Sequence, residues 1–497
     1  MSRRLRAFKR WMKAQSIGVS DSLDLVDAGG DDGVSVVAAR DIAEGEVVAA
    51  IPKRACLTVR TCAASEAIEA AGIAGQLGLS AALMHERGLG EASEWYGYLQ
   101  MLPRRACVPL TWTVGEVDEL LKGTELQKIV KEDKIHLHED WKECILPLIA
   151  SDPSKFNSKN SGIEQYFDAK SLVASRAFEI DDYHGYGMVP LADLFNHKTG
   201  AEDVHFTSVC SHSDSESCED GETGAGCEDG ETGTGCEGET GAVYDGVDDE
   251  ETSNTNISMC SSDSTDDPTV LQMLMVKDVK VGSEVFNTYG SIGNAALLHR
   301  YGFTELDNPF DIVNIDLNLV LQRVSSSVSP RQVRVRHSLW RKLDFSGCVS
   351  QNSEYFEISS TGVPQLELLV LLYMFFLPEK QYEQLNHTNL SLEEPDEALK
   401  AVISTKIDTK SHSLTLEVAN ECLLSDDVRC MLVSLADDRE RLYGLDSLED
   451  DVKLLKGCCR VRERKRYYAL LLRICERKIL EKLRVFASDG YNAKGKL

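Results

Sequence analysis

Hydrophobic and polar positions alternate with two different periods along the chain, and the change of period separates strands from helices. Within residues 33–59, two runs rich in β-branched residues flank an AEGE turn. This pattern predicts two β-strands, the second ending at Pro52. Apolar residues at helical spacing predict helices over 8–15, over 66–86 and onward to about residue 150, and over 165–180.

The strand pattern returns late in the chain and then gives way to helices. Residues 270–290 contain two strand-like runs joined by a KVGSE turn, and residues 294–303 predict a short helix that ends in an aromatic pair. From about residue 308 the apolar spacing is helical to the end, apart from a polar region near 344–362. The chain is therefore expected to end in an all-α domain.

An acidic, glycine-rich segment interrupts the strand pattern at residues 208–269. It contains 18 acidic and no basic residues, and a nine-residue unit repeats at Cys218, Cys227 and Cys236. The unit has no large apolar residue that could offset the entropy of ordering, so we predict a disordered insert. Without its charges the formal net charge of -28 becomes -10. The charge of the folded part therefore indicates no class of partner.

Several classes of protein are disfavoured by what the sequence lacks. The longest apolar run, LELLVLLYMFFL at 366–377, has about half the length of a membrane span. No signal-peptide core follows the basic N-terminus. The 15 cysteines show no secreted spacing, which favours free thiols in a reducing compartment. The Cys-Cys pair at 458–459 has no partner Cys-x-x-Cys pair, so no zinc site is expected. The basic clusters at 3–10 and 460–466 are interpreted as solvated helix faces.

Common cofactor and nucleophile motifs are also absent. A Rossmann-type site needs a glycine-rich turn between a strand and a helix. The GLG at 88–90 and the GAG at 224–226 have no preceding strand, and the chain has no Walker sequence, no GxSxG and no HExxH. If the protein is an enzyme, its cofactor must be held in another way.

Four segments stand in an order that resembles a known family. They are GVSVVAARDIAEGE from residue 33, SRAF at 175–178, DLFNH at 193–197, and EVFNTYG followed by NAALLHRYGF at 284–303. Together they resemble the SET domain of the Rubisco large-subunit methyltransferase type, and most closely its branch of nuclear and ribosomal-protein lysine methyltransferases. The resemblance covers roughly residues 8–486 without the acidic insert.

The resemblance implies an α+β fold class. A β-rich SET domain with a pseudoknot is expected over 8–303, split by a helical insertion at about 62–160. An all-α substrate-binding domain is expected over 308–490.

In the family, the segment carrying Asn196 and His197 threads beneath the EVFNTYG segment. True knots are rare, so threading of this kind usually serves a site. The resemblance implies that backbone groups at the crossing bind the adenine of S-adenosylmethionine and that Asn196 reaches its amino-acid part. Taken alone, the pair could equally be a capping asparagine and a core histidine.

Tyr289 is the residue that we expect to serve catalysis. Methyl transfer needs the amine, methyl carbon and sulfur in line, and it needs a neutral amine, although the unperturbed pKa of lysine is about 10.4. An apolar aromatic channel would lower that pKa. The resemblance places the Tyr289 hydroxyl beside the transferring methyl, and it places Tyr301 and Phe303 against the cofactor and the lysine channel. Without the family, all three would be interpreted as core aromatics.

The remaining site residues are also implied by the resemblance. Gly33, Val34, Ser35 and Val36 occupy the family's Gly-x-Gly-Leu turn beside the methionine end of the cofactor, with Ser35 where a glycine usually stands. A serine there is expected to weaken cofactor binding rather than abolish it.

Arg176 matches a residue that contacts the cofactor carboxylate, or else lies on an exposed helix face. Asp193 is expected to bind backbone at a strand end. Trp95 would border the substrate cleft, with core packing as the alternative.

These observations predict an S-adenosylmethionine-dependent protein-lysine N-methyltransferase that uses no metal. Its expected partner is a protein presenting a lysine, with no nucleic acid or membrane bound and a monomeric state. The matching region begins near Phe8 and leaves no room for a chloroplast transit peptide, which favours nucleus or cytosol. Two alternatives stay open: a protein-histidine methyltransferase of the same family, and a non-catalytic SET-fold binding module, favoured by Ser35 alone. The acidic repeats are hypothesised to bind a basic partner.

Overall fold

The computed structural model describes residues 2–27, 33–156, 161–208, 269–342, 355–387 and 422–494. The chain forms two compact units. The first contains residues Met1–Thr111 and Lys131–Ser291, and the second contains Trp112–Val130 and Ile292–Leu497. The acidic repeats lie outside the described residues.

The described residues form short strands and mostly longer helices. The strands are β1 (Gly18–Val19), β2 (Leu23–Asp27), β3 (Val34–Ala38), β4 (Val47–Pro52), β5 (Leu57–Thr58), β6 (Ala177–Asp181), β7 (Gly185–Met188), β8 (Val204–Ser208), β9 (Val270–Met275), β10 (Ile312–Asp316) and β11 (Tyr355–Ser359). The helices are α1 (Arg3–Ala14), α2 (Ser65–Ala70), α3 (Gly75–Leu89), α4 (Tyr96–Leu99), α5 (Val114–Leu120), α6 (Glu125–Asp140), α7 (Leu146–Ser151), α8 (Ile163–Arg176), α9 (Asn294–Tyr301), α10 (Leu317–Val324), α11 (Pro330–Lys342), α12 (Leu366–Phe376), α13 (Glu379–His387), α14 (Asp426–Arg441), α15 (Leu448–Gly457) and α16 (Arg464–Lys494).

Small antiparallel sheets make up the β-structure of the first unit. One sheet has the order β1-β4-β9-β8, a second has the order β5-β7-β6, and β2 pairs with β3. In β9 the buried residues are Leu271, Met273 and Met275, which alternate with half-buried ones. This period of two turns one face of the strand toward the core.

Helix α1 anchors an aromatic cluster in the first unit. The Ser2 side chain caps its N-terminus, and Leu5, Phe8 and Met12 are buried on one face. The Tyr98 ring lies 6.3 Å from the Phe8 ring, between ring centroids. This packing holds Tyr98 within the core of the unit.

The second unit has its own core and a buried ionic network. Helix α12 is apolar on all sides and almost entirely buried, as expected for a core helix. The guanidinium groups of Arg439, Arg473 and Arg477 all lie against the ring of Tyr443, whose hydroxyl donates to Glu476. Buried charges are stable only when paired in this way, so the network joins α14 to α16.

Most predicted elements are found, and three predictions need correction. The helix expected over 165–180 ends at Arg176, and β6 follows it because Phe178 and Ile180 belong to a strand that pairs with β7. The second strand expected within 270–290 is replaced by isolated bridges at Val279, Glu284 and Asn287. The final domain was expected to be all helical, but β10 and β11 form a two-stranded sheet.

The predicted domain bounds stay a prediction, since compact units need not coincide with family domains. None of the helices among the described residues is both long enough and apolar enough to cross a membrane.

Candidate active site at the chain crossing

Two distant segments of the first unit meet at the predicted crossing. His197 forms a parallel bridge with Asn287, and the Asn287 amide donates to the Asn196 carbonyl at 2.9 Å. On its other side the later segment joins β3, because the Val285 amide donates to the Val36 carbonyl at 2.8 Å. The later segment therefore lies between β3 and the Asn-His segment, and isolated bridges join it to both instead of regular ladders.

Tyr289 is held at both ends by the Asn-His segment. Its amide donates to His197 Nδ1 at 3.0 Å, and its hydroxyl donates to the Phe195 carbonyl at 3.1 Å. The rings of Tyr289 and His197 are stacked, with centroids 5.0 Å apart. These contacts fix both the backbone and the phenol oxygen of Tyr289, which is the kind of preorganisation that a reacting group requires.

His197 serves as a structural link within this arrangement. A backbone amide can only donate, so His197 Nδ1 must be the accepting nitrogen, and Nε2 then carries the proton toward Thr199 Oγ1, 3.1 Å away. Only a ring whose Nδ1 carries no proton can accept this hydrogen bond from Tyr289. The sequence predicted His197 for the site, and the structure brings it into contact with Tyr289.

Asn196 has a partner that the sequence did not indicate. Its Nδ2 donates to Glu284 Oε1 at 2.7 Å. Glu284 stands in the same EVFNTYG motif as Tyr289, and its position opposite Val37 fixes its backbone. An acidic residue at the start of that motif was the available signal, but a solvated charge was the simpler interpretation.

Arg176, Asp193 and Tyr98 form a buried hydrogen-bonded group in the first unit. Arg176 is the last residue of α8, and its NH1 nitrogen donates to the Asp193 carbonyl at 2.9 Å and to its carboxylate at 3.4 Å. Tyr98 donates to Asp193 Oδ2 at 2.9 Å. No described residue donates to the buried Oδ1. These contacts hold one side of the guanidinium, and the side chain keeps 28% of its surface exposed.

The environment of this group shifts two pKa values. Burial raises the pKa of Asp193, and the charge of Arg176 opposes that shift. Burial, together with the nearby Asp193 carboxylate, raises the pKa of Tyr98 well above its ordinary value. Asp193 lies in a single 3-10 turn after Leu191, whose φ of 78° is a strained conformation for a bulky residue. Its carboxylate contacts side chains, whereas the sequence led us to expect backbone binding at a strand end.

In the glycine-turn segment, the backbone conformation at Ser35 is one that a serine can adopt. Gly33 has φ of 71°, a left-handed conformation that favours glycine. Val34, Ser35 and Val36 lie in β3, where Ser35 pairs with Val26 in extended backbone. Ser35 therefore does not occupy a position that requires glycine for its backbone conformation.

Trp95, Tyr301 and Phe303 are the remaining aromatic residues predicted for the site. Trp95 is only 4% exposed, and its indole N–H donates to the Ala55 carbonyl at 3.1 Å. Core packing, the alternative left open by the sequence, describes it better than a substrate contact. Tyr301 and Phe303 belong to the second compact unit, with ring centroids 6.4 Å apart. Burial raises the pKa of Tyr301. Their role at the crossing stays a prediction.

Two side chains of the first unit offer groups that suit a zwitterionic amino-acid moiety. Asn196 Oδ1 accepts no hydrogen bond from the described residues, and Arg176 keeps an exposed side. An acceptor and a guanidinium match the ammonium and the carboxylate of an amino-acid moiety. Within the described residues, no group of three or more His, Cys, Asp or Glu side chains is arranged to hold a metal ion.

Comparison with solved structures identifies the fold. The structure of Rubisco LSMT bound to AdoMet aligns with a TM-score of 0.59 and 18% identity, over 99% of this chain and 92% of that chain. The SET domain of LSMT bound to lysine and AdoHcy aligns with a TM-score of 0.58 and 16% identity, over 98% and 91%. The chain has the SET-domain fold of the Rubisco large-subunit methyltransferase type. The predicted resemblance and the α+β fold class are confirmed.

Curated relatives of this SET-domain chain carry lysine methyltransferase names. N-lysine methyltransferase setd6 of Salmo salar is 24% identical over 96% of this chain and 95% of its own length. Ribosomal lysine N-methyltransferase 3 of Saccharomyces cerevisiae is 27% identical over 57% of this chain, and the match spans 59% of its own length. No family model matches the chain.

Proposed function

We propose that the protein is an S-adenosylmethionine-dependent protein-lysine N-methyltransferase. The observation that carries the proposal is the fixation of Tyr289 at the crossing. Its amide and hydroxyl are bonded to His197 and Phe195, which belong to a segment about ninety residues earlier in the chain. A fold that fixes one tyrosine from both ends is suited to aligning two reactants.

The hydrogen bonding of Tyr289 limits its chemical role. Because its hydroxyl proton is donated to the Phe195 carbonyl, the phenol does not act as a proton donor to the substrate. Toward an incoming amine the phenol oxygen can then act only as a hydrogen-bond acceptor that orients it. When bound, S-adenosylmethionine supplies an electrophilic methyl group on a sulfonium sulfur. Tyr289 thus serves as a positioning acceptor, held in place by its contacts with His197 and Phe195.

Further residues are assigned to binding. Arg176 receives the cofactor carboxylate on its exposed side, while Asp193 and Tyr98 keep the guanidinium in place. Gly33 allows the turn that leads into β3 at the methionine end of the cofactor. Tyr301 and Phe303 are assigned to the cofactor contact and to the lysine channel. The roles of Arg176 and Gly33 are argued from the local structure described above and from the family resemblance, whereas those of Tyr301 and Phe303 rest on the resemblance alone.

The substrate is proposed to be a lysine on a protein, with ribosomal and chromatin proteins as the candidate classes. The names of the curated relatives support a lysine target and, in one case, a ribosomal one, and the FNTYG form of the motif favours lysine over histidine. We further propose that the protein acts as a monomer in the nucleus or cytoplasm, without binding nucleic acid or membrane. The proposed domain bounds are 8–303 and 308–490.

The test is methyl transfer itself. The purified protein is incubated with radiolabelled S-adenosylmethionine and an undermethylated extract, and the labelled proteins are hydrolysed to amino acids. Tyr289→Phe removes only the hydroxyl, so it should lower the rate by about 100-fold through lost alignment. Tyr183→Phe is the matched control, since Tyr183 is 64% exposed and lies outside the crossing.

The outcomes separate the three candidate functions. Label in methyl-lysine that falls in Tyr289→Phe and persists in Tyr183→Phe supports the proposal. Label in methyl-histidine assigns the protein to the histidine-modifying branch. Cofactor binding without any transfer to several extracts would make the protein a binding module and would contradict the enzymatic assignment.

A further inference from the structure

Glu284 makes a contact at the crossing that the proposed reaction does not yet explain. One carboxylate oxygen accepts from Asn196 Nδ2 at 2.7 Å, a short distance for a charge-assisted hydrogen bond. The two residues are 88 positions apart and come from the two crossing segments. The contact therefore couples the side chain of one segment to that of the other.

The chemistry of this pair fixes the orientation of the asparagine amide. An ionised carboxylate can only accept hydrogen bonds, so the amide must direct its NH2 group toward Glu284. The amide oxygen Oδ1 then points away from Glu284, and no described residue donates to it. A side-chain carbonyl held in this way is an acceptor for a ligand that carries N–H donors.

The backbone around Glu284 is as constrained as its side chain. It lies opposite Val37 of β3, and the Ala38 amide donates to the Ser283 carbonyl at 2.9 Å. The Val285 amide donates to the Val36 carbonyl. These bonds hold the carboxylate beside the strand that follows Gly33. Glu284 can thus restrain the Asn196 amide with little loss of conformational entropy when a ligand binds.

We propose that Glu284 is a positioning residue that orients Asn196 so that its Oδ1 accepts from the ammonium group of the cofactor's amino-acid moiety. The inference rests on the proposed function, since it concerns the same cofactor site. It adds an anionic residue to the polar groups around that site. The negative charge of Glu284 polarises the amide and strengthens its oxygen as an acceptor for a cation.

The experiment measures binding and needs no substrate protein. S-adenosylhomocysteine carries the amino-acid moiety, whereas 5′-methylthioadenosine lacks it and retains the adenosine. Titration calorimetry with both ligands is performed on the wild type, Glu284→Ala, Asn196→Ala and the double variant. Glu202→Ala is the control, because Glu202 is a partly exposed carboxylate that pairs only with His205 among the described residues.

Loss of one charge-assisted contact should raise the dissociation constant for S-adenosylhomocysteine by about 10-fold or more in Glu284→Ala. Affinity for 5′-methylthioadenosine should stay within about 2-fold, since that ligand has no ammonium group. In the Asn196→Ala background, Glu284→Ala should have almost no further effect, because Glu284 acts through the asparagine. Glu202→Ala should bind both ligands as the wild type does.

Three results would overturn the inference. Equal losses for both ligands would mean that Glu284 only maintains the structure. Unchanged affinity for S-adenosylhomocysteine would mean that the amide orientation does not matter. If Glu284→Ala lowered the affinity for S-adenosylhomocysteine as much in the Asn196→Ala background as in the wild type, Glu284 would act independently of the asparagine. A wild-type protein that binds neither ligand would instead contradict the proposed function, so the two failures are distinguishable.

Discussion

Removal of the Arg176 guanidinium should destabilise the protein in a strongly pH-dependent way. Asp193 is fully buried, and Arg176 supplies its only positive partner among the described residues. Arg176→Met keeps much of the aliphatic stem but leaves the carboxylate without a counter-charge. Breaking a buried ion pair from one side typically costs about 3–5 kcal/mol, and we expect a loss of that order at pH 8.

The sign of the pH dependence follows from the pKa of Asp193. Burial already raises that pKa, and Arg176 opposes the rise, so the variant should have a still higher folded-state pKa. A group with a raised folded pKa favours the native state below its unfolded pKa, and this contribution is lost as pH rises through the folded pKa. The variant should therefore recover stability on acidification, by up to about 1.4 kcal/mol per pH unit within that window.

Urea denaturation of both proteins at pH 5 and pH 8 measures the difference. Arg176→Met combined with Asp193→Asn removes the unpaired charge, so it should regain much of the loss at pH 8. Arg40→Met is the surface control, since Arg40 is half exposed in its pair with Glu46, and it should show neither effect. Equal losses for Arg176→Met at both pH values would refute the electrostatic reasoning and indicate lost packing alone.

Three further changes test other parts of the structure. Burial raises the pKa of Asp311 to about 6 against the opposing hydrogen bonds from Asn294. As pH rises from about 4 to 6, Asp311 should therefore contribute a loss of about 3 kcal/mol to the free energy of unfolding, which thermal denaturation of the wild type and Asp311→Asn measures by difference. Gly123→Ala should lower the free energy of unfolding in urea by more than about 1 kcal/mol, because the φ of Gly123 is 82° and an added Cβ would meet backbone atoms at 2.6 Å. Gly115→Ala is the control: Gly115 lies in α5 with open space around it, so this change should be neutral or stabilising. Ser35→Gly should leave the affinity for S-adenosylhomocysteine within about 2-fold by calorimetry, since the residue lies in extended backbone; a clear gain would mean that the serine side chain obstructs the cofactor.

The order of short motifs was sufficient to predict the fold class. Each motif alone is weak evidence for a family, but four of them in this order and at this separation predicted the SET-type fold that the structural comparison confirms: GVSV, SRAF, DLFNH and EVFNTYG. The same motifs brought His197 and Tyr289 into one candidate site, and the structure places their rings in contact. Apolar spacing also located α9 within two residues of its observed end, and it located the C-terminal end of α1 within one residue but missed its first five residues.

Other features could not be predicted, because they depend on contacts between distant residues. The sheet formed by β10 and β11 was missed, since strand pairing across about forty residues is invisible to local periodicity. The run at 279–287 looked like a strand, yet the crossing allows it only single bridges. Tyr98 looked like one more aromatic in EWYGYL, and only the fold brings it to Asp193.

The sequence by itself determined which residue types are available to the site and the order in which they occur along the chain. Residue types, spacing and the glycine at position 33 are local properties, so they can be recognised without coordinates. The tertiary structure alone decided that Glu284 bonds Asn196, that Asp193 holds Arg176, and that Trp95 lies in the core. Those relations depend on burial and on distances between residues that are far apart in the chain. The physical reason is that hydrogen-bond partners are selected by geometry after folding, when buried polar groups must find the donors and acceptors that the fold provides.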